Sequence, residues 1–191
     1  MVSVAGKKVR IRTLHTGDLQ DFLAYRSDPD AYRWQGFGEL DETSARQFLR
    51  KHISLDFGTT GQWQQLGIEL LPEKRLVGDC AIRFSMHEPR HAELGMTIAP
   101  KFHRQGIGKE ALILLLNLLF SRGKLHKVIA MVDEKNTPSI GLLEALTFVR
   151  EGRLRQHFWN KMEEKWDDEL LYGLLAEEWI YSPWWESAAT Q

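Results

Sequence analysis

Glu93-Leu-Gly-Met-Thr-Ile-Ala-Pro-Lys-Phe-His-Arg-Gln-Gly-Ile-Gly-Lys-Glu-Ala111 is the stretch on which the fold turns. Residues 92–98 read as a strand. The loop after it carries Lys101, His103 and Arg104, and Gly106 and Gly108 then open a helix that runs to about residue 122. That helix is almost wholly apolar in its middle, which implies burial against a sheet. Its first turn has unpaired backbone N–H groups and a partial positive charge, so it is suited to phosphate. Glycine lets a phosphate approach the backbone with no Cβ in the way, and the nearby cations reinforce the field. Residues 127–132 form the next strand, so 92–132 is one βαβ unit.

Reading outward, the N-terminal side offers a strand at 9–14 and a helix capped by Thr16 or Asp18, with Leu19, Phe22, Leu23 and Tyr25 as its apolar stripe. Asp28-Pro29 ends that helix, because the residue before proline avoids helical angles. A second helix spans 41–57. Residues 62–70 and 75–86 make an antiparallel hairpin around Leu71-Pro72-Glu73-Lys74. On the C-terminal side Thr137-Pro138 starts a helix to about residue 146, and 148–159 and 169–175 close the sheet. The expectation is an α/β protein of the α+β type. It is a single domain over 1–191 with a mixed, mostly antiparallel sheet, one parallel βαβ unit and helices on both faces. An irregular tail is expected from about residue 180.

Composition excludes several classes. The 191 residues are 43% hydrophobic and 27% charged, and the formal net charge is −1. There is no overall basic field to hold nucleic acid or an anionic membrane. The longest apolar run, 111–120, falls short of the roughly 20 residues needed to span a bilayer. The first eight residues contain no apolar core of a secretory signal. Cys80 stands alone, so no internal disulfide or multi-cysteine metal site can form. A cytoplasmic setting and no metal are expected.

Two cofactor readings compete on the glycine loop. Gly106-x-Gly108-x-x-Ala111 matches the dinucleotide fingerprint, with Asp133 available for a ribose. Against it, about seven residues separate the strand from the first glycine, and some 90 residues precede the unit. A glycine loop with no ligand is the plain alternative.

Four landmarks point elsewhere. They are Tyr25-Arg26-Ser27-Asp28-Pro29; Ala92-Glu93-Leu94-Gly95; Asn136-Thr137-Pro138-Ser139-Ile140-x-Leu142-Leu143-Glu144-x-Leu146-x-Phe148; and Glu151-Gly152-x-Leu154-Arg155 followed by Asp168-x-x-Leu171-Tyr172. In this order and spacing, over about residues 9–179, the chain resembles the GNAT superfamily of acetyl-CoA-dependent N-acetyltransferases. Its closest likeness is to the Rim-type subgroup, which acetylates protein N-termini and has relatives acting on small amines. The resemblance implies acetyl-CoA as cosubstrate and an amine acceptor, either a protein N-terminus or a small amine. It also allows a homodimer.

The resemblance assigns roles residue by residue. The backbone of Met96, Thr97 and Ile98 pairs with the pantetheine arm, with an N–H near Ile98 facing the thioester oxygen. His103, Arg104, Gln105, Gly106, Ile107, Gly108 and Lys109 cradle the pyrophosphate. Asn136 reaches the pantetheine side, and Ser139 lies near the sulfur. Two departures stand out. His103 and Arg104 replace the usual loop residues, so backbone donors carry more of the binding. The position of the superfamily's tyrosine acid holds Leu143, which leaves Ser139 as donor to the leaving thiolate, or as a mere first-turn helix residue.

The reaction also needs a base for the incoming ammonium. Glu93, His157 and His87 are the candidates, alongside ordered water and backbone carbonyls. Glu93 lies an odd five residues from Ile98, so a regular strand puts the two on opposite faces. Tyr25, Tyr32, Trp34, Phe37, Trp63, Phe158 and Trp159 either wall the acceptor side or fill the core. A non-catalytic acyl-CoA-binding module is the alternative from another class.

Overall fold

The computed structural model describes residues 1–36 and 38–185, so the expectation on Phe37 lies outside the described residues. Eight strands form one sheet: β1 (Ser3–Ala5), β2 (Val9–Thr13), β3 (Trp63–Leu70), β4 (Arg75–Phe84), β5 (His91–Ile98), β6 (Lys127–Asp133), β7 (Val149–Asn160) and β8 (Lys165–Leu175). Their spatial order is β1-β2-β3-β4-β5-β6-β8-β7. Only the β5–β6 pair is parallel. The helices are α1 (Leu19–Arg26), α2 (Pro29–Tyr32), α3 (Glu42–Ile53), α4 (Ile107–Ser121), α5 (Thr137–Ala145) and α6 (Ala176–Ile180). This is the expected mixed sheet with a single parallel βαβ unit.

Several elements differ from expectation: α3 stops at Ile53 instead of running to residue 57, and α6 stands where the pattern predicts no helix. β1 is three residues long, too short to carry a readable alternation. Pro29 does end α1, but it also opens α2: it sits in the first turn, and the Asp28 carboxylate accepts from the Asp30 N–H at 3.0 Å.

α4 explains the main core. Leu115, Leu116 and Leu119 are fully buried and pack in one cluster with Ile11, Ile68, Ile82, Leu94 and Val128 from the sheet. Burying each such leucine contributes about 1.5–3 kcal/mol. Leu143 and Leu146, at and just after the end of α5, join this cluster. The other face carries α1 and α3, whose Phe22, Tyr25 and Leu49 pack with Leu14, Leu76 and Ala99.

Buried charges fix α1 to that second face. Arg12 on β2 grips Asp18 through both terminal nitrogens, at 2.9 and 2.7 Å, and donates its Nε to Glu69 at 2.7 Å. Asp79 on β4 receives the Arg26 guanidinium at 2.6 and 3.1 Å and the Tyr25 hydroxyl. These groups are almost free of water, so each pair is a fixed joint rather than a surface contact.

The tail packs on its own domain. Trp179 is fully buried and donates Nε1–H to Asn117 of α4 at 2.8 Å. Asn117 in turn donates to the Trp184 carbonyl at 3.1 Å. No helix among the described residues is long and apolar enough to cross a membrane.

Candidate active site

β5 and β6 are paired only through His91↔Lys127, Ala92↔Val128 and Glu93↔Ile129. β4 nevertheless follows β5 from Ala92 to Ile98, and β8 follows β6 from Lys127 to Asp133. Past Glu93 the two central strands therefore part, leaving a wedge between residues 94–98 and 130–133.

The edge of β5 in this wedge is chemically defined. Ala99 N–H donates to Val77 O at 2.8 Å, towards β4. Backbone direction alternates along a strand, so Thr97 also faces β4, whereas Met96 and Ile98 face the wedge. Both of their carbonyls are met there by side chains: Gln35 Nε2–H donates to Met96 O at 3.4 Å, and His103 Nε2 lies 2.8 Å from Ile98 O. A carbonyl only accepts, so His103 carries its proton on Nε2. Of the three strand residues expected to pair with a pantetheine arm, the geometry turns the backbone groups of Met96 and Ile98 to the wedge, their carbonyls met only by side chains, and commits Thr97 to the ladder.

The wedge runs into the N-terminus of α4. Pro100–Phe102 forms a 3-10 turn, and Arg104 (φ 59°) and the helix cap Gly106 (φ 77°) take left-handed angles. Glycine meets no steric cost there, whereas a β-branched residue would. Among the described residues the amides of residues 104–109 donate to no acceptor. Lys8, from the turn between β1 and β2, stands beside them with its Nζ donating to Gln105 O at 2.9 Å. Its turn is clamped to the helix, because Glu110 Oε1 accepts from the Lys8 and Val9 N–H groups at 2.7 and 3.2 Å. A Cβ on Gly108 would sit 3.4 Å from Met96 Cε, 3.6 Å from Ile98 Cγ1 and 3.7 Å from Leu142 Cδ2, so β5, α4 and α5 converge at this glycine.

α5 begins at the end of β6. Asn136 caps it, its buried side chain accepting from the Ser139 N–H at 3.3 Å. Ser139 and Leu142 are three residues apart on one helical face, so Ser139 lies on the side that meets Gly108. The half-buried Ser139 hydroxyl has no hydrogen-bond partner among the described residues. Asn136 is thus occupied in capping, while Ser139 keeps a free donor.

The base candidates separate clearly. β5 keeps an unbroken register with β4 from Ala92 to Ile98, so Glu93 and Ile98 do point to opposite faces. Glu93 is ion-paired with Arg83 directly across the ladder, and Arg83 in turn lies 4.8 Å over the Trp63 ring. His157 Nδ1 lies 2.6 Å from Glu169 Oε2 on the other side of the wedge. His87 sits in the turn between β4 and β5, where its N–H bonds Ser85, at the closed end of the wedge. Of the aromatic residues, Tyr25 belongs to the core, Trp159 is exposed and edge-on to Trp166, and Phe158 lies 3.7 Å from where a Gly36 Cβ would be. The loop of Gln35 and Gly36 thus reaches from β5 to β7 over the wedge. Lys8, Gln35 and Glu169 escape any sequence reading, since each reaches the site from a distant element.

The dinucleotide reading does not hold. The sheet has one parallel pair rather than a doubly wound core. Asp133 is buried, with Oδ1 accepting from the Lys135 N–H at 2.8 Å, and burial pushes its carboxyl pKa up. No group of three or more His, Cys, Asp or Glu side chains among the described residues could hold a metal ion.

Known proteins share this arrangement. The Acetyltransferase (GNAT) domain family matches residues 8–149. The uncharacterized N-acetyltransferase p20 of Bacillus licheniformis is 25% identical over 179 residues, covering 94% of this chain and 99% of that protein. The crystal structure of a GNAT-family acetyltransferase from Bacillus anthracis superposes with a TM-score of 0.82 at 26% identity, covering 93% of this chain and all of the other. The ribosomal-protein-S5-alanine acetyltransferase of Vibrio fischeri has the same fold, with a TM-score of 0.81 at 18% identity over 94% of this chain and 99% of its own. A wedge between two central strands, ending at a glycine-capped helix, thus comes with a matching family profile over most of the chain: the protein belongs to the GNAT acetyltransferase domain family.

Proposed function

We propose that this protein is an acetyl-CoA-dependent N-acetyltransferase that moves the acetyl group from the thioester to a primary amine by direct attack. The amine belongs to a protein N-terminus or to a small molecule, as in the Rim-type subgroup and its relatives. The observation that carries the reading is the wedge: a free strand edge at Met96 and Ile98 leads directly to the unbonded amides of residues 104–109. A chain of amides such as pantetheine completes the first, and a pyrophosphate is met by the second. His103 and Gln35 now occupy the carbonyls that such a chain would engage. The lone Cys80, buried in the sheet, fits a reducing, cytoplasmic setting.

The chemistry follows from the residues around the wedge. The neutral amine forms a C–N bond to the acetyl carbon, and the charge that develops on the oxygen is met by a backbone N–H on the β5 edge. Losing one such donor typically costs about 3–4 kcal/mol of barrier. As the C–S bond breaks, the proton shed by the now cationic nitrogen passes to the sulfur, with Ser139 Oγ–H as the donor to the thiolate and reprotonated from that nitrogen. The proton of the incoming ammonium leaves to a base on the sheet face opposite α4.

Release of free CoA thiol tests the reading. Acetyl-CoA is supplied with a panel of peptides bearing free N-termini, polyamines and aminoglycosides. Thiol release that depends on one of these amines is expected. Tight acetyl-CoA binding with no amine-dependent release would overturn the transferase in favour of a non-catalytic acyl-CoA-binding module.

A further inference from the structure

We propose that His157 is the base that takes the proton from the acceptor amine, and that Glu169 is the residue that positions it. This rests on the transferase reading above and names the proton acceptor that reading requires.

The geometry begins with β7. Leu154 pairs with Glu169 and Phe158 with Asp167, so four steps along β7 match two along β8. The surplus residues form a bulge, held by the left-handed Gln156 (φ 50°), whose N–H donates to Asp168 Oδ1 at 2.7 Å. In a regular ladder Gln156 would stand opposite Asp167, and His157 would lie further along still. The bulge instead brings His157 back over Glu169, the kind of re-aiming that bulges perform beside active sites. The Nδ1–Oε2 distance of 2.6 Å fixes which nitrogen is protonated: a carboxylate oxygen only accepts, so Nδ1 carries a proton, and in the neutral ring the lone pair lies on Nε2, directed away from Glu169. Glu169 is the buried member of the pair, with 14% of its side chain exposed against 49% for His157. The anchor is therefore fixed and the ring reaches solvent.

The pair lies on the right face. Glu93 pairs with Ile129, Ile129 and Asp133 share a face by alternation, and Asp133 pairs with Glu169. Glu93 and Glu169 thus flank the wedge on the same side, opposite α4. Phe158, next to His157, lies 3.7 Å from where a Cβ on Gly36 would be, in the loop whose Gln35 reaches Met96 O. Of the two flanking groups, Glu93 is held by Arg83, and only His157 presents an unshared nitrogen. Of the other charges nearby, Asp168 is engaged with Arg153, Asp167 with Lys135, and Arg153 also with Glu134, while Asp133 is buried, with Oδ1 accepting from the Lys135 N–H and Oδ2 without a partner among the described residues.

Three measurements test the proposal. Long-range proton–nitrogen NMR of the histidine rings reads the tautomer with no acceptor present. His157 is expected as the Nδ1–H form in the wild type, and an Nε2–H form would overturn the positioning. With an amine identified by thiol release, His157→Gln is expected to lower kcat about 100-fold and Glu169→Gln about tenfold, the range of a misplaced general base. The KM for acetyl-CoA should stay unchanged in both. In the His157→Gln background, adding Glu169→Gln should cost nothing further, because Glu169 acts through the ring. Wild-type kcat in His157→Gln would overturn the base. A full additional loss in the double variant would overturn the positioning role. Absence of thiol release in the wild type itself overturns the transferase reading, a result distinct from either.

Discussion

The sheet is built differently on the two sides of the wedge. On the β2–β4 side, charges are buried and locked: Arg12 with Asp18 and Glu69, and Arg26 with Asp79. On the β6–β7 side the basic partners reach water, as in Arg153 with Glu134 and Lys135 with Asp167, and Val149, Trp159 and Trp166 are exposed. The first half behaves as a mount. It fixes the end of α1, and with it the loop that carries Gln35 over the wedge. The second half gives up rigidity at its outer edge and holds the proposed catalytic groups, Ser139 and His157, on a helix start and a bulge.

The largest effect expected from this contrast is on stability. Asp79→Ala leaves the Arg26 guanidinium and the Tyr25 hydroxyl buried without their shared acceptor, and a loss of about 3–5 kcal/mol is expected in urea unfolding. The matching change across the wedge, Glu134→Ala, should cost about 1 kcal/mol or less, as exposed pairs do. Equal losses would erase the distinction. The next effect is on turnover. Ser139→Ala should lower kcat about 10- to 100-fold, with little change in the acetyl-CoA KM and an unmoved unfolding midpoint. Unaltered turnover would return Ser139 to a plain first-turn residue of α5.

The smallest effect is a pH slope. His52 of α3 is buried against Phe48, with ring centroids 4.2 Å apart, and burial, aided by Lys51, pushes its pKa down to about 4. In the unfolded chain the group titrates near 6.5. Between these values the unfolded chain binds the proton and the folded one does not, so stability falls as pH drops from about 6.5 towards 4. His52→Phe should remove about 1 kcal/mol of the difference in unfolding free energy between pH 8 and pH 5.5. An identical slope in both proteins would exclude His52 as its source.

Periodicity carries much of this architecture. The apolar middle of α4, the hairpin of β3 and β4, and the Thr137-Pro138 start of α5 all stand where the pattern puts them, because each is long or has its own stop signal. The odd spacing of Glu93 and Ile98 correctly predicts opposite faces, since β5 has no bulge. The wedge itself is invisible in sequence: nothing in residues 91–98 or 127–133 says that pairing stops after three residues. The bulge of β7 is equally hidden. Its strand reads as one continuous run, and the cross-strand partner of His157 depends on two surplus residues that only the register reveals. Lys8 and Gln35 reach the site through tertiary packing, for which a single sequence has no signal.

A strand that pairs for three residues and then departs gives the sheet two internal borders besides those of β1 and β7. Exposed borders are where foreign strands attach, and proteins usually bury, twist or charge them. Here the inner borders face each other across the wedge, with Gln35 and His103 resting on the carbonyls of one of them. Two side chains of the protein's own thus cover the place where its sheet is unfinished. Under the proposed function, a pantetheine arm that pairs with this edge has to displace both side chains from those carbonyls.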